Sequence, residues 1–408
     1  PTFGRGVLRN RFSSDCPFLW PMMRAFRWVG GGVATLLLAV AVFFVWASSG
    51  HVPDGAERQI TIYDADRAAP RDTLRVMTYN IGYLSGMTNN RPVDPPRSLF
   101  QANLDRAEAL IRDVSPDFIG FQEIDFGADR SYDVHQLDSL ASRLGYASAA
   151  QATNWDKRYV PFPYWPPSVH FGRMHSGQAV AGRYPIESHY SVALVRPPRP
   201  FWSDAFYLDR LAQVVVFNVD GLPFVVINVH LEAFDAETRQ KQARQVRALL
   251  ERYTAPRLPV LLIGDFNSVL PAARSTMSPG EQGRFRDDPT MEIVTAPRRV
   301  VPAFSESRVA TSRLPETYPA DNPTRKIDYV LFSQERLTQI DAGVHCGPPE
   351  HPPADHCAVS MTFVFPRPDE ESQAERRRYF DLLPPEDEVR AAMEAALRPS
   401  NGAPSEEE

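Results

Sequence analysis

Residues Val260-Leu261-Leu262-Ile263-Gly264-Asp265-Phe266-Asn267 combine an apolar run with two polar side chains directly after it. The apolar run predicts a short buried strand. The glycine permits a sharp turn, so Asp265 and Asn267, two positions apart, are expected to point to the same side of a sheet edge. Considered alone, an Asp-x-Asn segment is more often an ordinary turn. Whether this segment is part of a functional site depends on which other side chains lie at the same sheet edge.

Two later segments add carboxylates and an imidazole. Asp328 lies in Lys326-Ile327-Asp328-Tyr329-Val330, and Asp355-His356 precedes the apolar run 357–365. We interpret Asp328 and His356 as a pair. A carboxylate that accepts from one imidazole nitrogen fixes the tautomer of the ring and stabilises its protonated form.

Three upstream residues complete the set of candidates. Asn80 ends the strand predicted over 74–80, and Glu123 follows the strand predicted over 117–122. Glu123 is the best candidate ligand for Mg²⁺, which prefers hard oxygen donors. His230 ends a hairpin whose strands are joined by Asp220-Gly221. The alternatives are a turn-forming Asn80, a solvated surface Glu123 and a buried His230 that bonds only to backbone.

In this order, these segments resemble the endonuclease/exonuclease/phosphatase superfamily over residues 73–366. Histidines at positions 230 and 356 make the chain more similar to the deoxyribonuclease and sphingomyelinase branches. The resemblance implies a four-layer α/β sandwich of two packed mixed sheets flanked by helices. It also implies hydrolysis of phosphate esters with Mg²⁺, or with Mn²⁺ as the alternative ion.

The resemblance implies a role for each candidate. Asp265 would orient or deprotonate the attacking water, and Asp328 would support His356 from behind. The metal would be surrounded by Glu123, Asn80 and Asp355, and the phosphate held by Asn267, His230 and His356. Two departures matter: Ala181-Gly182 replaces a usual Leu-Ser, and Asp328 is followed by Tyr329. The second disfavours the inositol polyphosphate phosphatase branch.

The apolar run 28–47 contains no charged residue, so a helix there would span roughly 30 Å at about 1.5 Å per residue. Five arginines and one acid precede it, an excess that predicts a cytoplasmic arm over 1–27 and a catalytic domain on the outer side. A cleaved signal peptide ending near Ala47-Ser48-Ser49-Gly50 is the alternative. Both interpretations export the domain. The membrane is therefore an expected partner, and no stable protein partner is implied.

The rest of the chain divides by composition. We predict a polar linker over 48–71, one catalytic domain over 72–366, and a mostly disordered acidic tail over 367–408 with one helix around 385–397. The tail has twelve acids and six arginines, so its own net charge of −6 equals the formal net charge of the whole chain. The domain itself is mildly acidic, unlike a high-affinity binder of duplex DNA.

Two features leave alternatives open. The insertion 154–175 is rich in aromatic residues and proline, so it would contact a lipid surface, a base or a head group, or pack on the domain itself. Cys346 and Cys357 would form a disulfide in an oxidising compartment, or stay as buried thiols.

The leading hypothesis is a membrane-anchored phosphodiesterase that acts on a phospholipid or related head-group diester by direct attack of water. A nuclease outside the cytoplasm is the first alternative. A non-catalytic, membrane-tethered binding module of the same fold is the second.

Overall fold

The computed structural model describes residues 19–52, 58–63, 71–296, 299–313, 315–365 and 372–398. The chain separates into two units, one ending at Ser49 and the other beginning at Gly50.

The first unit is one long helix, α1 (Leu19–Ser48). Its segment Phe26–Ser48 has a mean hydropathy of 2.3 and contains the predicted anchor. Within the described residues it is the one helix long and apolar enough to cross a membrane, and a signal sequence shows the same pattern. The helix begins inside the predicted arm 1–27, while residues 1–18 of that arm lie outside the described part.

The second unit contains thirteen strands among its described residues. They are β1 (Arg58–Ile62), β2 (Thr73–Asn80), β3 (Phe118–Asp125), β4 (Ser148–Val160), β5 (Gly172–Gly182), β6 (Ile186–Ala193), β7 (Leu211–Val219), β8 (Leu222–His230), β9 (Val260–Asp265), β10 (Val301–Pro302), β11 (Asp328–Phe332), β12 (Thr338–His345) and β13 (Ala358–Val364). They form a seven-stranded sheet, β1-β4-β5-β3-β2-β13-β12, and a six-stranded sheet, β10-β11-β9-β8-β7-β6. Each sheet is mixed, with one parallel pair at its centre, β2 with β3 and β8 with β9.

Nine further helices cover or connect the sheets. They are α2 (Arg97–Val114), α3 (Gln136–Leu144), α4 (Phe201–Asp204), α5 (Ala236–Thr254), α6 (Pro279–Phe285), α7 (Thr290–Thr295), α8 (Glu306–Thr311), α9 (Gln373–Arg376) and α10 (Glu386–Ala395), counted over the described ranges. Helices α2 and α3 lie on the first sheet, and α5 with α7 lies on the second.

The alternation of side chains along each strand explains the layers. In β2 and β3, Val76 and Phe118 belong to the core between the two sheets, while Tyr79 and Phe121 pack with α2 and α3. Strands that are apolar on both faces are expected in a sheet that is covered on both sides. The result is the predicted four-layer α/β sandwich, with the polar ends of β2, β3, β8 and β9 at one edge.

One predicted boundary needs correction. Residues 58–62 of the predicted linker form strand β1, which pairs antiparallel with β4 at the edge of the first sheet. Helix α10 confirms the helix predicted around 385–397 of the tail, and it packs on α5 and buries Val389 and Met393. Residues 367–371 and 399–408 of the tail lie outside the described residues.

Two shorter expectations have clear outcomes. Strands β7 and β8 pair antiparallel around Asp220-Gly221, as the hairpin prediction requires. Cys346 and Cys357 form a disulfide, so the alternative of two free thiols is wrong.

Candidate active site

Asp265 lies where three strands of the second sheet are in register. It is opposite His230 of the parallel strand β8 and opposite Asp328 of the antiparallel strand β11. Directly opposed residues project to the same face of a sheet. The fold therefore places two carboxylates and an imidazole in one row, although they come from three distant parts of the sequence.

Gly264 makes the turn at this edge possible. Its φ is +140°, and a Cβ at this position would lie 1.9 Å from the backbone oxygen of Val229. After the turn, Asn267 also has a positive φ of 49°. Its backbone N–H donates to Oδ1 of Asp265 at 2.8 Å and fixes that carboxylate. Unfavourable backbone conformations of this kind cost about 1–3 kcal/mol and cluster at functional sites.

Four side-chain nitrogens converge on Oδ2 of Asp265. Nδ2 of Asn80 donates to it at 3.1 Å, and Nδ2 of Asn267 donates at 3.4 Å. Nε2 of His230 lies 3.4 Å from the same oxygen, and Nε2 of His356 lies 3.8 Å from it. Burial raises the pKa of Asp265 to about 7, and the charge of Asp328 acts in the same direction. The carboxyl group is therefore able to exchange a proton near neutral pH.

His356 is the cation of this cluster. Burial lowers its pKa, but the carboxylates of Asp328 and Asp265 outweigh burial and raise the pKa to about 10. The contact with Asp328 is direct, with Nδ1 of His356 3.0 Å from Oδ2. The ring is accordingly an imidazolium that is held in one orientation.

His230 differs from His356 in charge. Burial lowers its pKa well below 6.5, and the positive charges of Arg210 and His356 act in the same direction. Its contact with Asp265 is therefore the close approach of a neutral ring to a carboxylate, with Nε2 3.4 Å from Oδ2, and not an ion pair. A histidine that contacts only backbone is not what the structure shows, because Nε2 lies against the side chain of Asp265.

Glu123 and Asp355 form a second group of carboxylates. The pairing of β3 with β5 shifts register between Phe121 and Ile124, and Glu123 in this irregularity has a φ of +51°. Such a bulge redirects a side chain away from the regular alternation of a strand. Nδ2 of Asn89 donates to Glu123 at 3.0 Å and to Asp355 at 3.2 Å. Burial raises the pKa of Asp355 to about 6, and the charge of Glu123 adds to this effect.

These two carboxylates fit a hard divalent cation. They are oxygen donors of like charge that converge on one hydrogen-bond donor, which is the donor set that Mg²⁺ or Mn²⁺ accepts. The backbone also leaves room for Asp355, because a Cβ on Gly82 would lie 2.5 Å from its Oδ1.

A second acidic group has the spacing of a metal site. Asp265, Asp328 and His356 have ligand atoms within 4.8 Å of one another. In this group the imidazolium of His356 already supplies the positive charge, and it uses Nδ1 to bond Asp328. We therefore favour the pair Glu123 and Asp355 as the metal-binding carboxylates.

The side chain of Asn80 bonds at both ends of its amide. Its Oδ1 accepts from the backbone N–H of Gly82 at 3.1 Å, and its Nδ2 donates to Asp265. Both ends of the amide are thus engaged away from Glu123. The geometry supports a role in orienting Asp265, and the metal-ligand role expected from the sequence stays a prediction.

A buried polar network under the site was not predicted. Nε2 of Gln122 donates to Asn228 at 2.6 Å and to Thr78 at 3.0 Å. Nδ2 of Asn228 in turn donates to the backbone oxygen of Phe121 in the other sheet and to Gln213. Satisfied buried networks specify one arrangement of the elements that they join. This one fixes β3 against β8, and so fixes Glu123 relative to His230.

The site opens into a cleft of about 730 Å³. One wall comes from the insertion 154–175, which extends β4 and β5. Part of the insertion packs inward, since Nε1 of Trp155 donates to the backbone oxygen of Phe206 at 2.9 Å. Tyr164 and Trp165 are 68% and 78% exposed. Packing on the domain is therefore confirmed for part of the insertion, and a contact of its exposed aromatic residues with a ligand or lipid stays a prediction. The cleft is also lined by four arginines, Arg199, Arg210, Arg284 and Arg325.

The sequence profile of the Endonuclease/Exonuclease/phosphatase family matches residues 77–356. This chain belongs to that family. The matched range includes all eight candidate residues, Asn80, Glu123, His230, Asp265, Asn267, Asp328, Asp355 and His356. A search of curated protein sequences found no match.

Solved structures with the family fold are similar to this chain. The human Nocturnin catalytic domain with bound sulfate is 18% identical, with a TM-score of 0.50, and the match covers 77% of this chain and 99% of that one. A family member from Bacteroides vulgatus is 17% identical, also with a TM-score of 0.50, over 72% of this chain and 100% of its own. At these identities the similarity shows the fold, which agrees with the four layers described above.

Proposed function

We propose that this family member is a membrane-anchored, divalent-metal-dependent phosphodiesterase that acts on a phospholipid or related head-group diester by direct attack of water. The observation that carries the proposal is the arrangement around Oδ2 of Asp265. Four side-chain nitrogens meet at one buried carboxylate, and the acidic pair Glu123 and Asp355 lies beside them.

Phosphodiester hydrolysis needs charge neutralisation, a positioned water and a stabilised leaving oxygen. Glu123 and Asp355 would hold Mg²⁺, or Mn²⁺ as the alternative. When bound, this ion supplies positive charge to the phosphate oxygens. Asn89 would keep the two carboxylates together, since its amide donates to both.

Asp265 is the proposed base for the attacking water. Its pKa of about 7 suits proton transfer at neutral pH. Asn80 and the backbone of Asn267 orient its two oxygens, so the direction in which it accepts a proton is fixed. No covalent intermediate with the protein is required.

The two histidines would serve different purposes. His356 carries a positive charge and would stabilise the charge that develops on the phosphate in the transition state. Neutral His230 and the amide of Asn267 would donate hydrogen bonds to the non-bridging oxygens. Asp328 acts through His356, so we assign it as a positioning residue.

Two features support a lipid substrate. The apolar helix α1 would place the enzyme at a membrane, and the disulfide between Cys346 and Cys357 suits an exported domain. Exposed aromatic side chains on the lining of the cleft, Phe162, Tyr164 and Phe234, suit contact with lipid.

The test is hydrolysis by the full chain in detergent micelles, with Mg²⁺ or with EDTA. The panel contains sphingomyelin, phosphatidylglycerol, plasmid DNA and bis(4-nitrophenyl) phosphate. We expect Mg²⁺-dependent release from the chromogenic diester and from at least one lipid. Asp265→Asn should lower kcat by at least about 100-fold. Asp105→Asn removes an exposed carboxylate on α2 and serves as the matched control.

Each alternative predicts a different result. A nuclease would cleave the plasmid at a rate that falls steeply with salt, while lipid hydrolysis would depend on lipid composition. A binding module would hydrolyse nothing on the panel. Near-normal turnover by Asp265→Asn would rule out the role given to Asp265.

A further inference from the structure

One wall of the cleft carries two guanidinium groups that the proposed chemistry does not use. Arg199 and Arg210 line the cleft together with Tyr207. Nε of each arginine is buried without a hydrogen-bond partner in the described part of the chain. A buried donor that stays unpaired costs roughly 1–3 kcal/mol, so such donors in a cleft are expected to serve a ligand.

Arg210 is the deeper of the two, with its side chain 6% exposed. The neighbouring acid is Glu232, whose Oε2 lies 3.9 Å from Nε, beyond hydrogen-bond distance. The oxygens of Glu232 accept from the hydroxyl of Tyr207 at 2.7 Å and from the backbone N–H of Phe234 at 3.1 Å. Glu232 therefore balances the charge of Arg210 without using its donors.

Arg199 is held by the same group of residues. Its guanidinium carbon lies 3.7 Å from the centre of the Tyr207 ring, which is a cation–π contact. Since Tyr207 also bonds Glu232, the four side chains form one connected row. This row fixes two planar cations on one wall, and Nε of each has no hydrogen-bond partner among the described residues. Donors held in place before binding lose little entropy when an anion binds.

We propose that Arg199 and Arg210 form an anion subsite, and that the substrate carries a second negatively charged group beside the scissile phosphate. The inference rests on the proposed phosphodiesterase function, and it specifies the charge of the substrate. Guanidinium groups bind phosphate and carboxylate through paired hydrogen bonds. A quaternary ammonium head group would instead meet like charge in a partly desolvated cleft. An anionic head group is therefore the substrate class.

The test uses three 4-nitrophenyl phosphodiesters that share one scissile bond. Their second substituents are 3-phosphopropyl, 3-hydroxypropyl and 3-(trimethylammonio)propyl. With the wild-type full chain, kcat/KM should be highest for the phosphopropyl ester and lowest for the ammonium ester. Arg210→Met and Arg199→Met should each reduce the preference for phosphopropyl over hydroxypropyl by about 10- to 100-fold. Arg247→Met, which removes a half-exposed charge on α5 that pairs with Glu251, should keep the wild-type preference.

Equal losses on all three esters would overturn the subsite, because they would place Arg210 on the scissile phosphate. An unchanged preference in both variants would overturn it as well. A calorimetric measurement does not depend on turnover. In EDTA, propane-1,3-diol bisphosphate should bind wild type at least tenfold more tightly than propyl phosphate, and this difference should shrink in Arg199→Met.

The two proposals fail in different ways. If no ester is hydrolysed, the phosphodiesterase proposal fails, and calorimetry still decides the subsite. Equal binding of the two phosphates would refute it. Thermal melts establish that each variant is folded, and partly exposed Arg199 provides the second variant should Arg210→Met unfold.

Discussion

Nδ1 of His356 lies 3.0 Å from Oδ2 of Asp328, and both side chains are buried. This carboxylate is the strongest influence that keeps the imidazole protonated. Asp328→Asn is therefore expected to lower the pKa of His356 from about 10 to its usual range or below. On bis(4-nitrophenyl) phosphate, kcat should fall about 10²- to 10⁴-fold. NMR titration of the His356 ring with parallel kinetics checks both effects. Retention of the high pKa in the variant would contradict the pairing.

Lys326 and His356 should make stability depend on pH in opposite directions. His356 has a folded pKa of about 10, above its unfolded value of 6.5, so its contribution is complete below 6.5 and is lost as pH rises through 10. Burial lowers the pKa of Lys326 to about 7 from 10.5, so its protonated form destabilises the fold at low pH. That cost is relieved between pH 7 and 10.5. Each effect is on the order of a few kcal/mol.

The single variants separate the two contributions. In Lys326→Met the free energy of unfolding should fall as pH rises from 7 to 10, since the opposing dependence of Lys326 is removed while that of His356 remains. In His356→Gln it should rise over the same interval. Urea unfolding of metal-free protein at pH 7, 8.5 and 10 measures both slopes. Slopes of the same sign in the two variants would be inconsistent with the assigned protonation states.

Gly264→Ala should be severely destabilising. The new methyl group would collide with the backbone oxygen of Val229, and φ at this position is +140°. We expect a loss of at least about 3 kcal/mol or a failure to fold. Gly280→Ala is the matched control, because a Cβ there has no atom within 4 Å and the residue lies in helix α6. It should be neutral or stabilising by up to about 1 kcal/mol. Thermal unfolding compares the two, and similar melting temperatures would count against the close contact.

Glu123→Gln should weaken the binding of Mg²⁺ at least tenfold, since even residues that only support a ligand are worth about 10- to 100-fold. A second effect appears without metal. The charge of Glu123 contributes to the raised pKa of Asp355, so that pKa should move down in the variant. Calorimetry with Mg²⁺ and carboxyl NMR measure the two effects. Wild-type Mg²⁺ affinity in Glu123→Gln would exclude this residue as a ligand, and Asp105→Asn serves as the control.

Local sequence was sufficient for residues that end strands. Asp265 follows an apolar run and a glycine, and His230 ends a hairpin strand, so periodicity alone places both at a sheet edge. Parallel pairing of β8 with β9 then brings them together. Asn80 and Glu123 could be interpreted only together with the other candidate residues, because the sequence around each of them does not by itself indicate a functional site.

The missed residues depend on contacts between distant segments. Asn89 lies in a polar loop, and nothing in its neighbourhood indicates that it bonds Glu123 and Asp355. Arg210 precedes an apolar strand and its sequence context is that of a solvated charge, whereas its side chain is 6% exposed and lies beside Glu232. The same limit explains α10, whose two buried residues in an acidic tail are too weak a pattern to predict docking on α5.

The disulfide between Cys346 and Cys357 closes a ring that ends directly after Asp355-His356. A ring of this size contributes roughly 2–3 kcal/mol, in the usual account by restricting the unfolded chain. An exported enzyme would be synthesised where thiols stay reduced and would gain this bond only after translocation. The catalytic edge would then reach its full stability only after export. Before export, the chain would be less stable at this edge while it shares a compartment with the phosphate esters of the cell.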